Sequence, residues 1–230
     1  IAISAAPIGI FGGTFDPVHF GHLRSALEVL EELQLAEVRL VPCHVPPHRE
    51  RPRHDADCRL ELLQLAVQGV PGLLVDDREL RRDGPSYTVD TLASLRGEFS
   101  QTPLCLIIGM DSFLNLPSWH RWRELTDLAH IVVLSRPGYA FDGSGELAEW
   151  LQGRRITQPQ QLAVELAGSV YFHPVTQLDI SATRIRSLIG SGRIPRFLMP
   201  DAVWQRIAAL GLYGWPGGDI HPQPAKGGHD

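Results

Sequence analysis

The run Leu104-Cys105-Leu106-Ile107-Ile108 has no polar position and is closed in by Pro103 and Gly109. A strand that alternates apolar and polar residues can leave one face in water. This one cannot, so it needs cover on both sides, as a central parallel strand has. Ile8-Gly9-Ile10-Phe11 and Ile131-Val132-Val133-Leu134 read the same way, and shorter strands are expected at 37–42, 73–75 and 170–172. Between them lie segments of helical period. Residues 20–36 put Leu23, Ala26, Leu27, Leu30 and Leu33 on one face. Further helices are expected over 55–70, 87–99 with Ser86 as N-cap, 117–129, 182–189 and 200–210, the last stopped by Gly211, with a helical stretch around 147–166.

Strands alternating with helices imply an α/β fold: a Rossmann-like, doubly wound, mostly parallel sheet with helices on both faces and a small C-terminal helical part. One domain over residues 1–213 is expected, with a flexible tail over 214–230 rich in Pro, Gly and His. Ligands of such sheets bind at the carboxyl ends of the strands, where strand order reverses. The first strand leads directly into Gly12-Gly13-Thr14-Phe15-Asp16-Pro17-Val18-His19-Phe20-Gly21-His22. Glycines let backbone N–H groups approach a phosphate, the next helix adds partial positive charge, and two histidines three apart face one side. The stretch has neither the Gly-Lys-Ser/Thr ending of a Walker loop nor a G-x-G-x-x-G fingerprint.

Composition narrows the classes. A net charge of −5 argues against a general nucleic-acid binder. The three cysteines, Cys43, Cys58 and Cys105, lack paired or zinc-ribbon spacing, which favours a reducing, cytoplasmic setting. No apolar run approaches the roughly 20 residues that span a bilayer. His44, His48 and His54 share a proline-rich loop without zinc spacing, so no metal site is expected. Self-association into a homo-oligomer is left open.

A second motif, Ile180-Ser181-Ala182-Thr183-Arg184-Ile185-Arg186, opens a late helix. Alone it reads more simply as a capped helix than as a phosphate site. Together, G-G-T-F-D-P-x-H-x-G-H and I-S-x-T-x-x-R resemble the nucleotidyltransferases that adenylylate small phosphate monoesters. Val45-Pro46-Pro47-His48-Arg49, Asp77-Arg78-Glu79-Leu80-Arg81-Arg82, Pro85-Ser86-Tyr87-Thr88, Ile107-Ile108-Gly109-Met110-Asp111-Ser112, Pro117-Ser118-Trp119 and Ser135-Arg136-Pro137-Gly138 narrow the resemblance to bacterial nicotinate mononucleotide adenylyltransferases.

The resemblance implies attack by the phosphate of nicotinate mononucleotide on the α-phosphorus of ATP, with Mg²⁺ carried by the triphosphate. It implies catalytic roles for His19, His22 and Arg186. ATP would be bound by Gly12, Gly13, Thr14, Phe15, His19, His22, Arg49, Gly109, Asp111, Ile180, Ser181, Thr183 and Arg186, and the acceptor by Phe15, His48, Tyr87, Thr88, Trp119 and Arg136. Arg49 stands where many members carry Lys; charge is kept but geometry differs. Nicotinamide mononucleotide or phosphopantetheine as acceptor, and a non-catalytic nucleotide sensor, remain the alternatives. A class I aminoacyl-tRNA synthetase fragment would share H-x-G-H, but the chain has no K-M-S-K-S-like loop.

Overall fold

The structure, a computed structural model, describes residues 5–45, 52–135, 141 and 143–217. His48, Arg49 and Arg136, and the expected tail from residue 218, lie outside the described residues.

Seven strands form one parallel sheet: β1 (Ile8–Gly13), β2 (Glu37–Pro42), β3 (Leu73–Val75), β4 (Leu104–Gly109), β5 (His130–Ser135), β6 (Arg155–Ile156) and β7 (Val170–Pro174), in the order β3-β2-β1-β4-β5-β7-β6. β1 pairs with β2 (Ile8 opposite Glu37) and with β4 (Ile8 opposite Leu104), so the winding reverses between β1 and β4. The crevice that opens there is the ligand position of a doubly wound sheet.

The period of two along the strands divides the core. Phe11, Leu40, Cys105, Ile107 and Val132 face one layer, made by α1 (Phe20–Glu32), α2 (Ala56–Val67), α7 (Ala182–Gly190) and α8 (Asp201–Leu210). Ile8, Ile10, Leu106, Ile108 and Val133 face the other, made by α3 (Thr88–Glu98), α4 (Met110–Leu114), α5 (Leu125–Leu128) and α6 (Glu146–Leu151). Continuous apolar runs are what such two-sided cover requires.

Several elements depart from the sequence expectations. α1 stops at Glu32, with Gln34 left-handed just beyond at φ 51°, and α2 spans Ala56–Val67 with Asp55 capping it through the Cys58 amide at 2.8 Å. Ser86 does not cap α3. Its Oγ accepts from the His44 amide at 2.9 Å, tying the end of β2 to this turn, and Tyr87 occupies the cap position.

The helix expected over 117–129 is broken into 3₁₀ turns at Leu116–Ser118 and Trp122–Glu124 before α5. A continuous helix would put Trp119 and Trp122 on one side. Arg121, left-handed at φ 51°, separates them, so Trp122 enters the core at 6% exposure while Trp119 turns to the crevice. Within 147–166 only α6 is α-helical; Gly153 at φ 75° follows it, then edge strand β6 and a 3₁₀ turn at Pro159–Ala163. Trp215, inside the expected tail, packs edge-on against buried Trp204 with centroids 4.9 Å apart.

Candidate active site

β1 delivers Gly12 and Gly13 to the crevice, and the chain then turns through Thr14, Phe15 and Asp16 into α1, whose N-cap is His19. No side chain caps the helix; its Phe20 amide donates to the Leu198 carbonyl at 2.9 Å and its His22 amide to the His19 carbonyl at 2.9 Å. The His19 and His22 rings stack, centroids 3.7 Å apart and 24° between planes. Gly21 permits this, since a Cβ there would lie 3.0 Å from two atoms of the His19 ring. Burial pulls the His19 imidazole down to about 4, so it is neutral at pH 7 and keeps a single N–H to give. Its Nδ1 is buried and has no hydrogen-bond partner among the described residues.

Phe15, expected among the ATP- and acceptor-binding residues, lies beneath the histidine pair. It is fully buried, left-handed at φ 47°, and supports His22 edge-on at 5.1 Å. Arg59 of α2, 1% exposed, holds the loop from below. Its guanidinium donates to the Thr14 carbonyl (2.7 Å), the Cys43 carbonyl (2.7 Å) and the His54 carbonyl (3.3 Å).

The second motif arrives from the far end of the chain. After β7, the Thr176 amide donates to the buried carboxylate of Glu28 on α1 at 2.7 Å, and Arg24 donates to the same carboxylate at 2.6 Å. Burial alone would raise the Glu28 carboxyl; the Thr176 amide and Arg24 outweigh it and hold it below its ordinary value. The Ile180 carbonyl consequently sits over Gly21, 3.5 Å from where a Cβ would stand. Ser181 caps α7, its Oγ accepting from the Arg184 amide at 3.2 Å. Arg186 reaches back and donates to the Asp16 carbonyl at 2.7 Å and to Thr183 Oγ1 at 3.2 Å. The two motifs, joined through residues 170 positions apart, thus meet at one end of the sheet.

Two cavities open on this junction. One, of about 290 Å³, lies at the switch point and is lined by Gly12, Gly13, Thr14, His22, Gly109, Thr88 and Trp119 among others. The other, of about 630 Å³, is lined by Arg53, His54, Thr183, Arg186 and Tyr213 among others, and so is cationic. Tyr87 and Asp111 do not line the first. The Tyr87 ring lies on His120 at 4.3 Å, and Asp111 is exposed in the first turn of α4. Sequence reading missed Arg59, Glu79, Ser112 and Thr91. Buried Glu79 lines the first cavity and accepts from Thr91 Oγ1 at 2.6 Å, and burial raises its carboxyl above the ordinary range. Of these, Glu79, in the stretch Asp77–Arg82, and Ser112, in the stretch Ile107–Ser112, carried a sequence signal.

The cytidylyltransferase-like family model matches residues 10–188, which contain both motifs. A probable nicotinate-nucleotide adenylyltransferase of Methylococcus capsulatus is 53% identical over 207 residues, covering 90% of this chain and 99% of the relative. That of Halorhodospira halophila is 52% identical over 209 residues, covering 91% and 96%. The chain belongs to the nicotinate-nucleotide adenylyltransferase family. Among solved structures, the nicotinic acid mononucleotide adenylyltransferase of Plasmodium falciparum complexed with NaAD superposes with a TM-score of 0.70 at 15% identity, covering 91% of this chain and 98% of that one, which shows a shared fold.

As a nucleotidyltransferase of this family, the chain is an enzyme acting on nucleotides. Its junction suits them. Imidazoles, hydroxyls and a guanidinium meet there, all able to donate to anionic oxygens. No group of three or more His, Cys, Asp or Glu among the described residues is arranged to hold a metal. That donor set fits a divalent cation carried by the nucleotide's own oxygens and water. No helix among the described residues is long and apolar enough to cross a membrane.

Proposed function

We propose that this enzyme transfers the adenylyl group of ATP to nicotinate mononucleotide, giving nicotinate adenine dinucleotide and pyrophosphate. The observation that carries the reading is the hydrogen bond from Arg186 to the Asp16 carbonyl, which joins the loop bearing the stacked His19 and His22 to α7. The names of the relatives support the choice of acceptor.

The acceptor phosphate is already anionic near neutral pH, so no general base is required. Its oxygen bonds to the α-phosphorus, the bond from that phosphorus to the bridging oxygen breaks, and the electron pair leaves with pyrophosphate. The chain supplies position and charge stabilisation. His22, on the wall of the switch-point cavity, donates to the α-phosphate region, with neutral His19 stacked behind it. Arg186, Thr183 and the first-turn amides of α7 hold the departing pyrophosphate in the cationic cavity. Gly12, Gly13 and Thr14 give the backbone surface under the triphosphate, Gly109 the ribose side, and Thr88 and Trp119 the pyridine side, with Asp111, exposed two residues beyond Gly109, reaching the ribose from outside the cavity wall. A Mg²⁺ ion carried by ATP would offset triphosphate charge, while Arg186, Thr183 and His22 hold phosphate oxygens.

The test is pyrophosphate release from ATP and Mg²⁺ with each of nicotinate mononucleotide, nicotinamide mononucleotide and phosphopantetheine. The fastest release is expected with the first. Faster release with phosphopantetheine would overturn the acceptor, and release with none would favour a nucleotide sensor.

A further inference from the structure

Asp16 sits inside the phosphate loop, 4% exposed, and each of its carboxylate oxygens accepts a hydrogen bond from the protein. Oδ1 accepts from the Tyr213 hydroxyl at 2.7 Å, Oδ2 from the Arg53 amide at 2.7 Å, and its backbone carbonyl from Arg186 Nη1 at 2.7 Å. One residue therefore ties together the phosphate loop, the segment entering α2, α7 and the chain beyond α8.

Of these ties, the one to Tyr213 carries backbone strain. Tyr213 lies in the left-handed region at φ 57°, which a side chain with a Cβ tolerates only where its surroundings over-determine it. They do so here. The Tyr213 amide donates to His54 Nε2 at 3.2 Å, and the two rings meet edge-on at 4.4 Å. Burial, with the Asp16 charge beside it, holds the hydroxyl well above the ordinary phenol range, so it stays a neutral donor. Its single proton is committed to Asp16, so it has none to give a ligand. Yet it lines the same cavity as Arg186 and Thr183.

We propose that Tyr213 is a positioning residue of the nucleotide site: through the Asp16 carboxylate it holds the phosphate loop in the register in which the Asp16 carbonyl orients Arg186 toward the leaving phosphates. This deepens the proposed function and rests on it for the identity of the leaving group. A hydroxyl that only glued the C-terminus to the body would affect melting alone. A hydroxyl that orients Arg186 must affect ATP, and only while Arg186 is present.

The experiment is a double-mutant cycle on the full chain, reading ATP affinity by calorimetry with Mg²⁺ and melting temperature in parallel. Tyr213→Phe keeps the ring on His54 and removes one charge-assisted hydrogen bond. It should weaken ATP about tenfold and leave nicotinate mononucleotide affinity within about twofold. In an Arg186→Ala background the same change should cost less than about twofold. An unaltered ATP affinity after Tyr213→Phe, or an equal loss in both backgrounds, would overturn the proposal. If Tyr213→Phe melts below the assay temperature, Asp16→Ala is read instead, because it removes both acceptor oxygens, for the Tyr213 hydroxyl and for the Arg53 amide, and keeps the backbone carbonyl that meets Arg186. Wild-type ATP affinity in that variant would likewise overturn it. Pyrophosphate release by the unsubstituted chain is measured alongside: a chain that binds ATP but transfers to no acceptor removes the proposed reaction, while the cycle still decides on Tyr213.

Discussion

His19 and His22 differ by three positions and by what surrounds them. His22 reaches the switch-point cavity, while His19 is 5% exposed beneath it. His22→Ala should lower kcat by about 10²–10³, the cost of losing one donor to developing charge, and move the melting temperature by only a few degrees. His19 has a stability signature as well. Its folded value of about 4 lies below the ordinary 6.5, so between those pH values the unfolded chain binds the extra proton. Stability should be level above about pH 6.5 and fall as pH drops toward 4, by on the order of 3 kcal/mol from this group. Thermal melts from pH 7.5 to 4.5 test it, and His19→Asn should flatten the curve. Arg59→Met would strip three carbonyls of a buried donor fork and should cost about 3 kcal/mol or more in denaturant unfolding. Tolerance of that change would show that water fills in for the guanidinium.

At the scale of elements, α7 carries both a structural and a ligand-facing end. The Ser181 cap on the Arg184 amide means that Ser181→Ala should cost about 1 kcal/mol of stability whether or not nucleotide is present. If ATP protects the wild type and the variant equally against melting, the hydroxyl serves the helix; a loss of protection would give it a part in the ligand as well. The strands were the most legible elements. β2 and β3 have the bounds expected from sequence, and the continuous apolar runs of β4 and β5 follow from burial on both faces. The region 116–128 was not legible, because Arg121 takes a left-handed conformation that helix-period reading cannot foresee. β6 is two residues long and exists only because its edge pairs with β7, so no local pattern marks it.

Across the whole molecule, the reversal of winding between β1 and β4 makes the crevice, and the α8 region closes the molecule behind it. Trp204, 1% exposed, is the largest apolar residue committed to that closure and meets Trp215 edge-on. Trp204→Ala should cost about 3–5 kcal/mol, seen as a large drop in denaturation midpoint with the folded fraction still able to bind nucleotide. A loss of binding well above the unfolding transition would mean that this packing also sets the site. Sequence by itself determined the alternation of strands and helices, hence the α/β class, and the two motifs that must meet at the strand ends, since periodicity and glycine placement are local properties. Tertiary structure alone decided that Arg59 supports the loop, that Phe15 is buried rather than presented, and that Asp16 binds Tyr213 from 197 positions away. Those contacts depend on which segments the sheet order brings together, and a carboxylate or guanidinium shows its partner only once the chain has folded around it.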